Sequence, residues 1–163
     1  MPSTVTSKLV STLTATENIP TTNPAGTSIT VSSTLSSSTV LGASTTPAVS
    51  AQWSGLVTLV AGVATLDLTA LARDGLVTVN ATGLKLRALK IVADSLNTAL
   101  VTLQPGATNG YAVFGLGVSV LALDEILIGP LNAPTAVDGT HKTLDLASAM
   151  GAAKVTLVMI FGA

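Results

Sequence analysis

The one place where a base and carboxylates come close together is the segment Asp138, His141 and Asp145. A hydrolytic triad needs a histidine oriented by a carboxylate on one ring nitrogen and an activated hydroxyl at the other. His141 is the sole histidine, and no Gly-x-Ser-x-Gly elbow or comparable nucleophile setting occurs anywhere in the chain. Beside Lys142 in a polar turn, His141 therefore reads as a solvated or interface residue. Asp124-Glu125 is the only adjacent carboxylate pair, but neighbours on a strand face opposite sides, so a strand junction is the simpler reading. One histidine and no cysteine leave no transition-metal ligand set. Calcium held by loop aspartates and backbone oxygens stays open, although no EF-hand spacing is present. Gly115-Leu116-Gly117 lacks the third glycine and the following helix of a phosphate loop. One Trp, one Tyr and two Phe are too few for a stacking platform. Asn80-Ala81-Thr82 is a glycosylation sequon by letter, with meaning only behind a secretory signal. The expectation is no enzyme, no cofactor and no metal.

Contact chemistry is better represented. Lys85 and Arg87, with Lys90 nearby, are the one concentration of positive charge. On a strand the first two share a face, where they either pair with acids of a neighbouring subunit or solvate an outer surface. Trp53 either caps the core or anchors in a partner pocket. In the N-terminal segment Ile29, Val31, Val40 and Leu41 are the apolar residues of two short β-branched stretches. These seven, Ile29, Val31, Val40, Leu41, Trp53, Lys85 and Arg87, are the candidate interface.

The surface that must carry them is unusual. The chain has 163 residues, 48% of them hydrophobic, yet only 9% are charged and the net charge is −1. An average soluble domain is roughly one quarter charged, so Ser, Thr, Ala and Gly must coat this one, and mean hydropathy reaches +0.68. Obligate interfaces are depleted in charge in this way; the plainer alternative is a monomer with a Ser/Thr coat. A pI of about 5.6 gives no electrostatic footprint for nucleic acid. The longest apolar run, Val113 to Leu123, is too short for a helix to cross a bilayer. No signal peptide is evident, since Leu9-Val10-Ser11-Thr12-Leu13-Thr14 is too polar for an h-region. Neither nucleic acid nor membrane is expected as a partner, and synthesis in a cytoplasm is.

Two regions follow from composition. Residues 1–50 are close to half Ser and Thr, punctuated by Pro2, Pro20, Pro24 and Pro47. They read as an extended arm, its first 26 or so residues without structure in isolation and short strands at 27–32 and 39–41 able to lie on an existing edge. Residues 51–163 are β throughout. Leu56–Val60 and Val63–Leu68 flank Ala61-Gly62 as a hairpin, and turns fall at Arg73-Asp74-Gly75, Asn80–Gly83, Gln104-Pro105-Gly106, Asn132-Ala133-Pro134 and Asp138-Gly139. Leu84 to Val92 alternates with Leu84, Leu86 and Ala88 inward and Lys85 and Arg87 outward. It then slips at Leu89-Lys90-Ile91, which predicts a β-bulge. Tyr111–Phe114 and Thr98–Leu103 are strands, and Val118–Ile128 is a strand pair or one bent strand. Single helical turns are expected at Thr69–Arg73 and Ala147–Gly151. Eight or nine strands with such spacing give an all-β antiparallel β-sandwich or jelly roll. Thr65-Leu66-Asp67-Leu68 is echoed by Thr143-Leu144-Asp145-Leu146, either as equivalent strands or by chance in a Leu/Thr-rich chain.

The run LVTLVAGVATLDLTAL from Leu56 to Leu71, Asn109-Gly110-Tyr111 leading into an apolar strand, and Lys142-Thr143-Leu144-Asp145-Leu146 resemble small virion proteins of tailed bacteriophages. The resemblance covers residues 53–163 and not the arm. It implies a capsid-associated β-sandwich of decoration or cement type, a homo-oligomer for which a trimer is one form, and brings no functional residues with it. The expectation is a structural subunit of a virion, assembled in the host cytoplasm, contacting other virion proteins through apolar interfaces and a docked arm. The alternative is a tail-tip or fibre module that binds a receptor or glycan through loops such as Gln104–Asn109 or Pro130–Thr140. An enzyme using His141 is a third class.

Overall fold

The computed structural model describes residues 5–20, 28–73, 76–112, 117–131 and 135–163. Two compact units result, one of Lys8–Val40 and one of residues 1–7 with 41–163. The smaller holds most of β1 (Ser7–Pro20) and β2 (Ser28–Leu41), which pair as a two-stranded sheet. Thr14 and Thr34 share a 3.3 Å hydroxyl hydrogen bond across it. The sequence predicted only two short strands here. Two long ones form because rows of Ser and Thr, poor at packing a core, still accept extended backbone and cross-strand hydroxyl contacts.

The larger unit is all-β, with no helix among the described residues. Its strands are β3 (Ala51–Thr58), β4 (Val63–Asp67), β5 (Leu71–Arg73), β6 (Leu76–Val79), β7 (Lys85–Ala93), β8 (Val101–Pro105), β9 (Val118–Val120), β10 (Glu125–Ile128), β11 (Thr143–Ser148) and β12 (Lys154–Gly162). One antiparallel sheet has the order β10-β7-β12-β3, a second the order β4-β11-β8-β9, and β5-β6 form a small pair. Leu86, Leu89, Ile91, Val155, Leu157 and Phe161 of the first sheet share one buried cluster with Val101, Leu103, Leu144 and Leu146 of the second. Each such leucine stabilises the fold by about 1.5–3 kcal/mol through burial.

The hairpin expected around Ala61-Gly62 is a correction. The turn is present, with φ of 52° and 83° at its two residues and Val60 and Val63 exchanging backbone bonds at 2.9 and 3.1 Å. Beyond that bridge the arms separate: β3 pairs with β12 and β4 with β11, in different sheets. The connection from β11 to β12 turns the same corner alongside, with Gly62 donating to Gly151 O at 2.9 Å and Ser148 donating to Gly62 O at 2.8 Å. The repeated Thr-Leu-Asp motif lies in these strands. β4 and β11 run antiparallel with Thr143 opposite Asp67 and Asp145 opposite Thr65; the Thr65 hydroxyl donates to Asp145 Oδ1 at 2.6 Å.

The bulge in β7 also differs in place. Ala88 faces Ile160 while Leu86 faces Phe161, so Arg87 is the extra residue. Phase switches there and not at 89–91, which sends Leu89, Ile91 and Ala93 into the core and leaves Ala88 outside that cluster. The segment Val118–Ile128 is two strands in different sheets, joined by a turn that Asp124 closes by accepting the Leu121 amide at 2.7 Å. The predicted helical turns at 69–73 and 147–151 are strand and non-helical turn instead. The Arg73-Asp74-Gly75 turn, the strand Tyr111–Phe114 and the loop Asn132-Ala133-Pro134 lie wholly or partly outside the described residues.

Tyr111, the only tyrosine, is fully buried. Its hydroxyl donates to Thr135 O at 2.5 Å and accepts the Leu86 amide at 3.0 Å. Burial pushes the phenol above its usual value of 10.0, against the Leu86 amide and the charge of Arg87, which pull it down. A raised folded value means that the neutral phenol stabilises the fold in full below the unfolded value of about 10. That contribution is lost as pH rises through the folded value. The expected result is a phenolate absorbance change that coincides with alkaline unfolding; titration to phenolate in a chain that stays folded at pH 10 would contradict it.

Candidate functional site

Three of the seven candidate interface residues are buried. Trp53 is 4% exposed, Leu41 is buried, and Arg87 is 5% exposed. The Trp53 indole N–H donates to Ala72 O at 2.6 Å. Its ring occupies the space above Gly55, where a Cβ would stand 2.6 Å from the indole. Trp53 thus fastens β5 to β3 and is the core cap, not a free anchor. Arg87, expected on the outer face, is enclosed by the segment 129–131. Leu131 donates its amide to Arg87 O at 2.8 Å, and the guanidinium returns a bond to Leu131 O at 3.1 Å. A second guanidinium nitrogen meets the main-chain oxygen of Ala163. Lys85 is half-buried, opposite Gly162 in register. Val40 is exposed at the end of the smaller unit, and the side chains of Ile29 and Val31 lie outside the described residues.

The candidate catalytic trio is likewise separated in role. Asp138 accepts the amides of Thr140 and His141 at 2.7 and 2.8 Å and the Thr140 hydroxyl at 2.9 Å. Those bonds, the Thr140 amide first, hold its carboxyl far below the usual range. His141 Nδ1 lies 3.1 Å from Asp138 Oδ1 and 3.0 Å from Thr140 Oγ1. Hydroxyl and carboxylate therefore meet the same ring nitrogen, whereas a proton relay needs them on opposite ones. Asp145 is bound elsewhere, by Thr65 and by the Ala107 amide at 2.9 Å. The arrangement closes a turn.

Other charges are paired across strands. Lys90 meets Glu125 at 2.9 Å and Lys142 meets Asp67 at 3.1 Å. Asp67 is held below its usual range, chiefly by the Thr69 hydroxyl, with the Thr69 amide and Lys142 adding to it against a burial effect of opposite sign. Among the described residues no group of three His, Asp or Glu could hold a metal ion, and no helix is long and apolar enough to cross a membrane. The loop Gln104–Asn109 is braced: Thr143 donates its hydroxyl to Thr108 O, and Gly106 donates to Thr143 O at 2.9 Å.

Two further surfaces have geometry suited to contact. A concavity of about 420 Å³ runs between β3 and β4, lined by Trp53, Gly55, Val57, Thr65, Asp67 and Leu71. Both strands are sheet edges, each hydrogen-bonded within its four-stranded sheet on one side only. The other surface is a set of exposed leucines and valines in the loops at one end of the two sheets. Neither was singled out from sequence. Edge position depends on topology, and the exposed leucines sit in turns such as Asp94-Ser95-Leu96-Asn97, where an Asp or Asn within two residues of the leucine was the available signal. The chain matches no protein-family model, no curated protein and no solved structure.

Proposed function

We propose that this chain is a non-enzymatic structural subunit of a protein shell, a jelly roll of the decoration or cement type on a virion. The observation that carries the reading is the strand order. An antiparallel ribbon β3–β4 against β11–β12, continued by β7–β8 against β9–β10, folds over once to give β3-β12-β7-β10 facing β4-β11-β8-β9. That strand order supports reading the winding as an eight-stranded jelly roll, a fold used by viral capsid and lectin domains. Fold alone does not assign function. The reading is supported on the surface by the 9% charge content, which suits cover by protein more than by water. In this reading the smaller unit is an arm that lies across a neighbour, and the free edges of β3 and β4 are where main-chain pairing adds to the contact.

The arm is tested by deletion. Residues 41–50 belong with the larger unit: Leu41 and Val49 are buried, and Ser50 donates to Phe161 O at 2.8 Å. The informative truncation is therefore at residue 40. Removing residues 1–40 is expected to leave the thermal midpoint of the larger unit close to that of the whole chain. Virion attachment should weaken at least about tenfold, the loss of about 1.4 kcal/mol of binding. Undiminished attachment in a co-sedimentation assay would remove the role given to the arm.

A further inference from the structure

We infer that the loop end of the two sheets is a self-association surface, and that its occupant is the same end of a second copy of this chain. Four connections meet there: 59–62 between β3 and β4, 94–100 between β7 and β8, 121–124 between β9 and β10, and 149–153 between β11 and β12. They are bonded to one another and to the strand ends. Leu59 donates to Ala153 O at 2.8 Å, and Ala93 to Asp124 O at 2.9 Å. The Asn97 side chain both donates to Lys154 O at 2.8 Å and accepts the Lys154 amide at 2.9 Å. Thr98 N–H points at Met150 Sδ at 3.5 Å. The end is thus built before any partner arrives, and little ordering cost attends its burial.

Val60, Val63, Leu96, Leu100, Leu121 and Leu123 lie on these loops or at their margins, between 45% and 78% exposed. Among the described residues, Leu56 is the one large exposed hydrophobic of the larger unit that lies outside these loops and their margins. Together they present several hundred Å² of apolar surface, the size at which a patch marks an interaction site. That is also on the scale of the roughly 800 Å² each partner contributes to a stable protein interface.

Charge decides the occupant. The ionisable groups around this end are Asp94, Asp124, Glu125, Lys90 and Lys154. Asp94 is engaged by the Leu96 amide at 2.9 Å, Asp124 by the Leu121 amide at 2.7 Å, and Glu125 by Lys90. Lys154 alone is too little for a phosphate-bearing surface, which draws clusters of basic residues. What fits is an apolar face of low net charge that carries both signs, and the same end of another copy, at −1 over these five groups, is such a face. Twofold contact is self-complementary by construction.

The test uses the full chain, so that it is separate from virion attachment. A chain that self-associates here but never binds a particle sinks the shell reading and leaves this one standing. Sedimentation equilibrium over a concentration series is expected to show association. The double substitution Leu96→Asn with Leu123→Asn should weaken it at least about tenfold, as should Val60→Thr with Leu100→Asn, chosen so that a folding defect in one pair leaves the other informative. Leu35→Asn, an equally exposed leucine in the smaller unit, should leave association unchanged. A chain that is monomeric at every concentration overturns the inference. So does association lost with Leu35→Asn but kept in both loop variants, or a monomer that instead floats with phosphatidylcholine vesicles.

Discussion

Replacing Trp53 by alanine is expected to cost about 3–5 kcal/mol of folding stability, the range for truncating a large buried aromatic. A domain of this size has only about 5–15 kcal/mol in total. The substitution removes the indole that fills the space over Gly55 and the N–H bond that holds Ala72. Urea unfolding followed by far-ultraviolet circular dichroism reads the loss directly. Trp53→Phe separates the two contributions, since it keeps most of the ring but not the donor. Its expected cost is smaller, with about 0.5–1.5 kcal/mol from the lost hydrogen bond, since Ala72 is exposed and water can replace the donor. An alanine variant that unfolds at the wild-type urea concentration would mean that β5 is held by something other than the indole.

Arg87→Met is the second. The substitution keeps an unbranched apolar stem out to the ε position and deletes the donors to Leu131 O and to the main-chain oxygen of Ala163. Bonds from a charged donor are worth about 1.5–3 kcal/mol each, partly offset because a cation no longer has to be buried. A net loss of about 2–4 kcal/mol is expected on that basis. Hydrogen exchange gives the discriminating readout. The Leu131 amide, bonded to Arg87 O, should lose protection more than the amides of β8, because the segment 129–131 is released first. Uniform loss across both sheets would show that the guanidinium supports the whole core and not that one segment.

Much of the fold was legible. Period-two alternation placed β4, and short apolar runs placed β7 and β11, because local backbone preferences and a half-buried strand leave direct marks in sequence. Gln104-Pro105-Gly106 was read as a turn closing a strand at 98–103, whereas β8 is Val101–Pro105 and Gln104 and Pro105 pair with Asp145 and Leu144. The partner of each strand left no such mark. Ala61-Gly62 makes the same left-handed turn whether its arms pair with each other or bend into separate sheets, and only β11 and β12, some ninety residues on, decide which. Phase in β7 was read as slipping at Leu89 because Arg87 was taken as outward. A buried arginine covered by a distant loop breaks the polar-outside rule that such a reading uses. Of the contact residues, Trp53, Leu41 and Arg87 proved to be internal. The loop leucines were missed because a leucine in an apolar chain is read as core by default.

The pairing of Ala51 with Phe161 has a consequence during synthesis. The strand β3 has no in-register neighbour until β12 has left the ribosome, so that sheet cannot close before then. Contacts so distant along the chain also slow the search for the native state. Growing chains therefore carry apolar strands of that sheet uncovered until β12 emerges, the period in which misassembly competes with folding. A chain cut short before β12 should yield aggregate or a substrate for proteases, not a smaller working module.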